Sequence, residues 1–145
     1  MTTRSIPLAL LMMVSNAFAI DAAQLMDDLI WERRVLVIFS PDGDDPNLQL
    51  QDAALLAEQD GLVERHMTVI HILADNVVSI DGKPQVGSGE NFHEHFGVTK
   101  DEFRVLLIGK DGGVKLDRDR PVSVGELFSL IDSMPMRRYE MQQNG

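Results

Sequence analysis

Two hydrophobic periods alternate along this chain, and their changes mark its elements. After Asp21, a residue suited to cap a helix, the apolar positions Leu25, Met26, Leu29 and Ile30 fall on one helical stripe that closes at Trp31 and the charged run Glu32-Arg33-Arg34. Val35-Leu36-Val37-Ile38-Phe39 then runs without alternation, the pattern of a central strand covered on both faces. The turn formers Ser40-Pro41-Asp42-Gly43-Asp44-Asp45-Pro46 stop it. From Asn47 to Arg65 the pattern predicts one helix, with Leu48, Leu55 and Leu62 at heptad spacing and Leu56 beside them. Pro46 suits its first turn, and Asp44 and Asp45 suit the positive end of its dipole. Met67 to Leu73 is a second strand, and Val77 to Ile80, Asp81-Gly82 and Lys83 to Val86 predict a small hairpin. Glu90 to Phe96 reads as a short helix ended by Gly97. Arg104 to Ile108 is a third strand, and Lys110-Asp111-Gly112-Gly113 turns the chain into Val114-Lys115-Leu116, an antiparallel edge. Ser123 and Glu126 form a capping box before Leu127, Leu130, Ile131 and Met134, and Pro135 ends the pattern.

A βαβ unit followed by a β-hairpin and a terminal helix predicts an α/β, thioredoxin-like fold. Its mixed central sheet carries helices on both faces.

The first residues carry a different signal. Arg4, the apolar stretch Ile6 to Val14, polar Ser15-Asn16 and the closing Ala17-Phe18-Ala19 have the order of a cleavable secretory leader, and the apolar stretch is too short to span a bilayer. Residues 1–19 are therefore expected to be removed, leaving residues 20–145 as a single domain, periplasmic or secreted. The whole chain has a formal charge of −10, and loss of Arg4 makes it more acidic still. Such a surface argues against nucleic acid and anionic membranes as partners, leaving a protein or a small molecule. Small domains in an oxidising compartment usually carry disulfides, yet this chain has no cysteine. Thiol redox chemistry, Cys-ligated zinc and iron–sulfur clusters are excluded, and no cofactor is expected.

Arg34 to Phe39 feeding a loop and helix, and Phe96-Gly97-Val98 leading to Val105 to Gly113, resemble thioredoxin and peroxiredoxin sequences. Arg34 to Phe39, Lys110 to Leu116 and Ile131-Asp132-Ser133-Met134-Pro135-Met136-Arg137-Arg138 resemble more closely a bacterial family of exported domains of unknown function, over roughly Leu29 to Glu140. That family is similar to the peroxiredoxin-like domains of the animal extracellular proteins equarin and the sushi-repeat proteins. The resemblance implies the thioredoxin-like fold and no established activity. Where a redox thioredoxin has Cys-x-x-Cys, this chain has Pro41 to Pro46, and Glu102 or Phe103 stands where a cis-proline usually lines the substrate groove.

Asp42, Asp44 and Asp45 offer hard oxygen ligands, but calcium takes six to eight oxygens and the loop fails the EF-hand pattern, so a turn with a helix cap is the better expectation. Together with Glu102 and Phe103 they form a candidate ligand site. His93 and His95, two apart on a helix, point to nearly opposite faces, and His71 inside a strand reads as a hydrogen-bonded core residue; a metal site joining His66 or His71 to a helix histidine is the alternative. Met134 completes a core stripe, whereas Met136, Arg137, Arg138 and Tyr139 form a candidate docking patch whose plainer reading is a solvated tail. No serine lies in a nucleophile elbow, and Gly87-Ser88-Gly89 lacks the lysine of a P-loop. The sequence thus favours an exported, non-redox binding module. A hydrolase or metal-binding protein using Asp or His groups beside Pro41 to Pro46 is the alternative.

Overall fold

The computed structural model describes residues 19–74 and 76–144. The leader read in residues 1–19 lies, Ala19 apart, outside the described residues. Among the described residues no helix is long and apolar enough to cross a membrane.

In chain order the elements are α1 (Ala22–Leu29), β1 (Arg34–Ser40), α2 (Pro46–Leu56), α3 (Gln59–Glu64), β2 (Met67–Leu73), β3 (Val78–Ile80), β4 (Lys83–Pro84), α4 (Glu90–Phe96), β5 (Arg104–Ile108), β6 (Val114–Arg118), α5 (Val124–Asp132) and α6 (Pro135–Gln143). The strands form one six-stranded sheet in the order β4-β3-β2-β1-β5-β6. β1 pairs in parallel with β2, Val37 opposite Ile70, and antiparallel with β5, Val37 opposite Leu106. Every residue of β1 is buried, as a continuous apolar run between two other strands requires.

Pleating sends alternate residues to two cores. Leu36, Ile38, Met67, Val69, Val105 and Leu107 pack against Leu48, Leu55 and Leu62 of α2 and α3 and against Leu127 and Ile131 of α5. Val35, Val37, Phe39, Ile70, Ile72 and Leu106 face Ala22 of α1 and Phe92 of α4. The thioredoxin-like mixed sheet with helices on both faces is thus the architecture observed.

Two expectations need correction. The helix read from Asn47 to Arg65 is two, because the chain turns at Ala57 and Glu58, whose amides donate to Ala53 O and Leu55 O. The turn leaves Leu56 exposed and lets Leu62 join Leu48 and Leu55 in the core, which one straight stripe did not achieve cleanly. Gly61 at this elbow admits Phe128: a Cβ there would lie 2.5 Å from its ring. At the other end, Pro135 does not stop the chain's helical structure but starts α6, standing at the first helical position where its missing N–H costs nothing.

The hairpin turn has both central residues left-handed, Asp81 at φ 49° and Gly82 at φ 80°, the backbone an Asp-Gly pair favours. Trp31 also takes a positive φ, 67°, and its amide donates to Lys110 O at 2.6 Å, tying the end of α1 to the turn after β5.

Candidate functional site

The loop after β1 is a hydrogen-bonded turn. Ser40 Oγ donates to Asp42 O at 2.7 Å, and Asp42 Oδ1 accepts from the Asp44 amide at 2.8 Å, closing an Asx turn. Asp45 is the N-cap of α2, its Oδ1 accepting from the Asn47 amide at 2.8 Å. Two of the three carboxylates thus already hold backbone N–H groups. Among the described residues no cluster of three or more His, Asp or Glu side chains is arranged to hold a metal ion.

Pairing of Phe39 with Arg104 brings Phe103 to the end of the sheet where Ser40 meets this turn, but Phe103 is buried in the core with Leu48 and Val105. Glu102 instead closes its own turn, Oε2 accepting from the Thr99 amide at 2.8 Å; this bond, with Arg104 nearby, lowers its carboxyl below the usual range. Asp42, Asp44, Asp45, Glu102 and Phe103 therefore share an end of the sheet without lining the cavities described below.

The docking patch is only partly a surface. Arg137 is 1% exposed. Its Nε donates to Asp132 Oδ1 and its Nη2 to Glu64 Oε1, both at 3.0 Å, so it locks α6 to α5 and α3. Arg65 grips the same Asp132 at 3.0 and 2.9 Å, its guanidinium 3.9 Å above the Phe128 ring. Burial pushes the Asp132 carboxyl up, but the two arginines outweigh it and hold it below the usual range. Helical continuation beyond Pro135 is what turns Arg137 inward, leaving Met136, Arg138 and Tyr139 exposed. Behind them Glu140 accepts from Arg34 Nη1 at 3.0 Å and from Lys110 Nζ, which also contacts His66 Nδ1 at 2.8 Å.

The histidines stand apart. His93 is buried, with Nδ1 2.9 Å from Val98 O, and His95 stacks edge-on against Phe96. His71 is half-buried rather than a core residue, with Nε2 2.6 Å from Asp52 Oδ1 across the α2–β2 packing.

That imidazole–carboxylate pair lines a cavity of about 470 Å³, an open groove between the α2–α3 elbow and the β2–β3 side of the sheet. Its walls are mostly apolar: Leu55, Leu56, Leu62, Val63, Met67 and Val69. Asp52, His71, Arg33, Gln59 and Asp81 supply the polar edge. Arg33 is held in place by Thr68 Oγ1 at 3.0 Å and Met67 O at 2.6 Å, and Asp81 by the Val69 amide at 2.8 Å. The register sets Ser79 opposite His71, but among the described residues no side-chain hydrogen bond links the Ser79 hydroxyl to the imidazole. Nothing in the sequence pairs Asp52 with His71. Their separation of 19 positions has no local signature, and only the parallel β1–β2 crossover brings them together.

The volume and lining suit a small molecule with an apolar body and a polar end.

Comparison with known proteins agrees with this fold. The chain is 30% identical over 128 residues to coiled-coil domain-containing protein 80 of Danio rerio, covering 77% of this chain and 15% of that protein. It is 28% identical over 130 residues to sushi repeat-containing protein SRPX2 of Homo sapiens, covering 85% of this chain and 27% of the relative. The chain thus spans about a quarter or less of these relatives' lengths. Among solved structures, a Plasmodium vivax 2-Cys peroxiredoxin superposes with TM-score 0.57 at 16% identity, over 79% of this chain and 83% of that one. Plasmodium yoelii thioredoxin peroxidase I gives 0.55 at 16% identity, over 78% and 79%. At such identity the likeness is one of fold. A family profile described as a domain of unknown function, DUF4174, matches residues 25–140, and the chain belongs to that family.

Proposed function

We propose that this chain is an exported binding module, a thioredoxin-like domain without thiol chemistry that receives a small amphipathic ligand in the groove between α2–α3 and β2–β3. The observation that carries this reading is the groove itself: about 470 Å³, walled by leucine, valine and methionine side chains and edged by the Asp52–His71 pair. Leu56 and Val63 stand at its walls 71% and 70% exposed, apolar area that folding alone does not explain. The turn at Pro41 to Pro46 supports the non-redox part, since it has aspartates spent on backbone N–H groups and no cysteine. The relatives support modular use, because the matched region is 15% of one and 27% of the other. The leader pattern in residues 1–19 and the resemblance to extracellular proteins support export.

Ligand-observed NMR against a library of small amphipathic molecules tests the site. Binders are expected to lose affinity in Leu56→Asp and Val63→Asp, changes at exposed positions that leave the fold intact. Hydrolysis of a substrate panel abolished by His71→Asn would replace the binding reading with an enzymatic one. N-terminal sequencing of protein from the exported fraction should begin at Ile20, and an intact Met1 on cytosolic protein would overturn export.

A further inference from the structure

The groove follows β2 from Met67 to His71, about 13 Å of strand at about 3.3 Å per residue, and its two ends differ in charge. At the far end Asp52 closes on His71 at 2.6 Å. At the near end stands Arg33, half-buried, with Nε donating to Thr68 Oγ1 at 3.0 Å and Nη2 to Met67 O at 2.6 Å. Both acceptors are uncharged oxygens, so they fix the guanidinium in place without neutralising it.

Among the described residues every other buried or half-buried arginine or lysine is ion-paired, and Arg33 is not. Carboxylates are plentiful in a chain of formal charge −10, yet folding brings none to this cation. A charge drawn partly out of water without a partner is costly, so the site favours an anion. The third guanidinium nitrogen, Nη1, has no hydrogen-bond partner among the described residues and, unlike Nε and Nη2 of Arg34, is not enclosed. It keeps two N–H groups open for an oxyanion. Two carboxylates line the same groove, but each is engaged elsewhere: Asp52 by His71, and Asp81 through Oδ1 by the Val69 amide at 2.8 Å. Arg33 also borders a cavity of about 60 Å³ beneath α1, which has room for about two waters and none for a ligand body. The apolar walls that could hold such a body are those of the groove, at about 470 Å³.

Building on the groove reading above, we infer that the ligand is an anionic amphiphile, an alkyl carboxylate whose head is held by Arg33 at the Met67 end. Its chain lies along Val69 beneath Leu62, Val63 and Leu55, pointing toward His71. The reverse orientation would set the carboxylate against Asp52, so the two ends of the groove fix the direction of binding as well as the charge of the head.

Calorimetric titration of the purified protein with decanoate, decanol and decylamine tests this, at about pH 7 and below the concentrations at which the probes aggregate. The three share one alkyl chain, and at that pH their heads are negative, neutral and positive. Decanoate is expected to bind about tenfold more tightly than decanol, the size of one charge-assisted contact, and decylamine most weakly. Arg33→Gln should remove the advantage of decanoate and leave decanol binding at the parent value. Because that variant also loses hydrogen bonds at the start of β2, Asp81→Asn serves as a second. Asparagine tolerates the left-handed turn position before Gly82, and loss of a like charge beside the head should strengthen decanoate severalfold without moving decanol. Equal affinity for the three probes, a preference for decylamine, or a decanoate advantage that survives Arg33→Gln would overturn the inference while leaving a ligand in the groove. Failure of all three to bind is the separate outcome that overturns the groove reading itself, and the inference with it.

Discussion

Glu140→Gln tests the electrostatic reasoning most severely, because the residue lies between two buried cations. Arg34 and Lys110 have side chains 1% and 7% exposed, and Glu140 itself is 12% exposed. Glutamine keeps the shape and one acceptor but removes the compensating charge, leaving two cations facing each other out of water. Breaking a buried pair from one side costs about 3–5 kcal/mol, and the retained acceptor places this change near about 3. Arg137→Met is the internal control. It also deletes a buried charge, but its partners stay hydrated or paired: Glu64 is 62% exposed, and Asp132 keeps Arg65. Exposed pairs contribute about 0–1 kcal/mol, so with some lost packing this variant should cost about 1–2. Urea unfolding at pH 7 with unchanged slope reads both differences. The pH dependence supplies a second check. Burial pushes the Glu140 carboxyl up, but hydrogen bonds from Lys110 and Arg34 and their charges outweigh it and hold it below the usual glutamate range. A carboxyl lowered in the folded state contributes stability above its unfolded value, about 4.3, and loses it as pH falls through the lowered folded value. Acid destabilisation in that window should therefore be shallower in Glu140→Gln. A Glu140→Gln protein no less stable than Arg137→Met, or with an unaltered acid limb, would refute this account of the cluster.

The cap at Asp45 predicts a loss of about 1 kcal/mol in Asp45→Ala, read by thermal melting, and millimolar calcium should leave the melting temperature of the parent unchanged; a calcium shift abolished by Asp42→Asn would show a cation site instead. Val37→Asp places an unpaired charge between β2 and β5 and should cost several kcal/mol, so an unchanged melting temperature would contradict the central place of β1. Gly61→Ala should destabilise by about 1–2 kcal/mol despite alanine's better helix propensity, because its methyl group meets the Phe128 ring; a gain in urea midpoint would show that the ring yields freely.

What the sequence disclosed follows from the range of the forces involved. Val35 to Phe39 announces a buried strand because five successive apolar side chains have no other arrangement that hides them, and Asp81-Gly82 announces its turn because left-handed backbone is a local property. Pro135 is ambiguous in the sequence for a related reason: a proline ends a stripe as readily as it begins the next helix, and only the burial of Arg137 against Glu64 and Asp132 separates the two. Phe103 looked like a groove position because of where it stands before β5, yet an aromatic side chain at that register fills the core. The groove was invisible because it arises from the bend at Ala57 and Glu58, which leaves β2 only partly covered. Arg34, Lys110 and Glu140 come from distant parts of the chain, so nothing in the linear charge pattern assigns them to one another.

The two outermost strands bear on how the molecule meets others. β4 is two residues long and includes Pro84, which has no amide to offer a neighbour. β6 carries Lys115, Asp117 and Arg118 along its length, and its pairing with β5 slips at Leu107 and Ile108. Short length, proline, charge and a bulge are the features by which sheets resist adding a strand from another chain. Unwanted growth of the sheet is thereby blocked at both margins without any covalent cross-link, which a cysteine-free chain cannot make. A peptide that binds by extending the sheet is therefore the mode of contact this architecture disfavours.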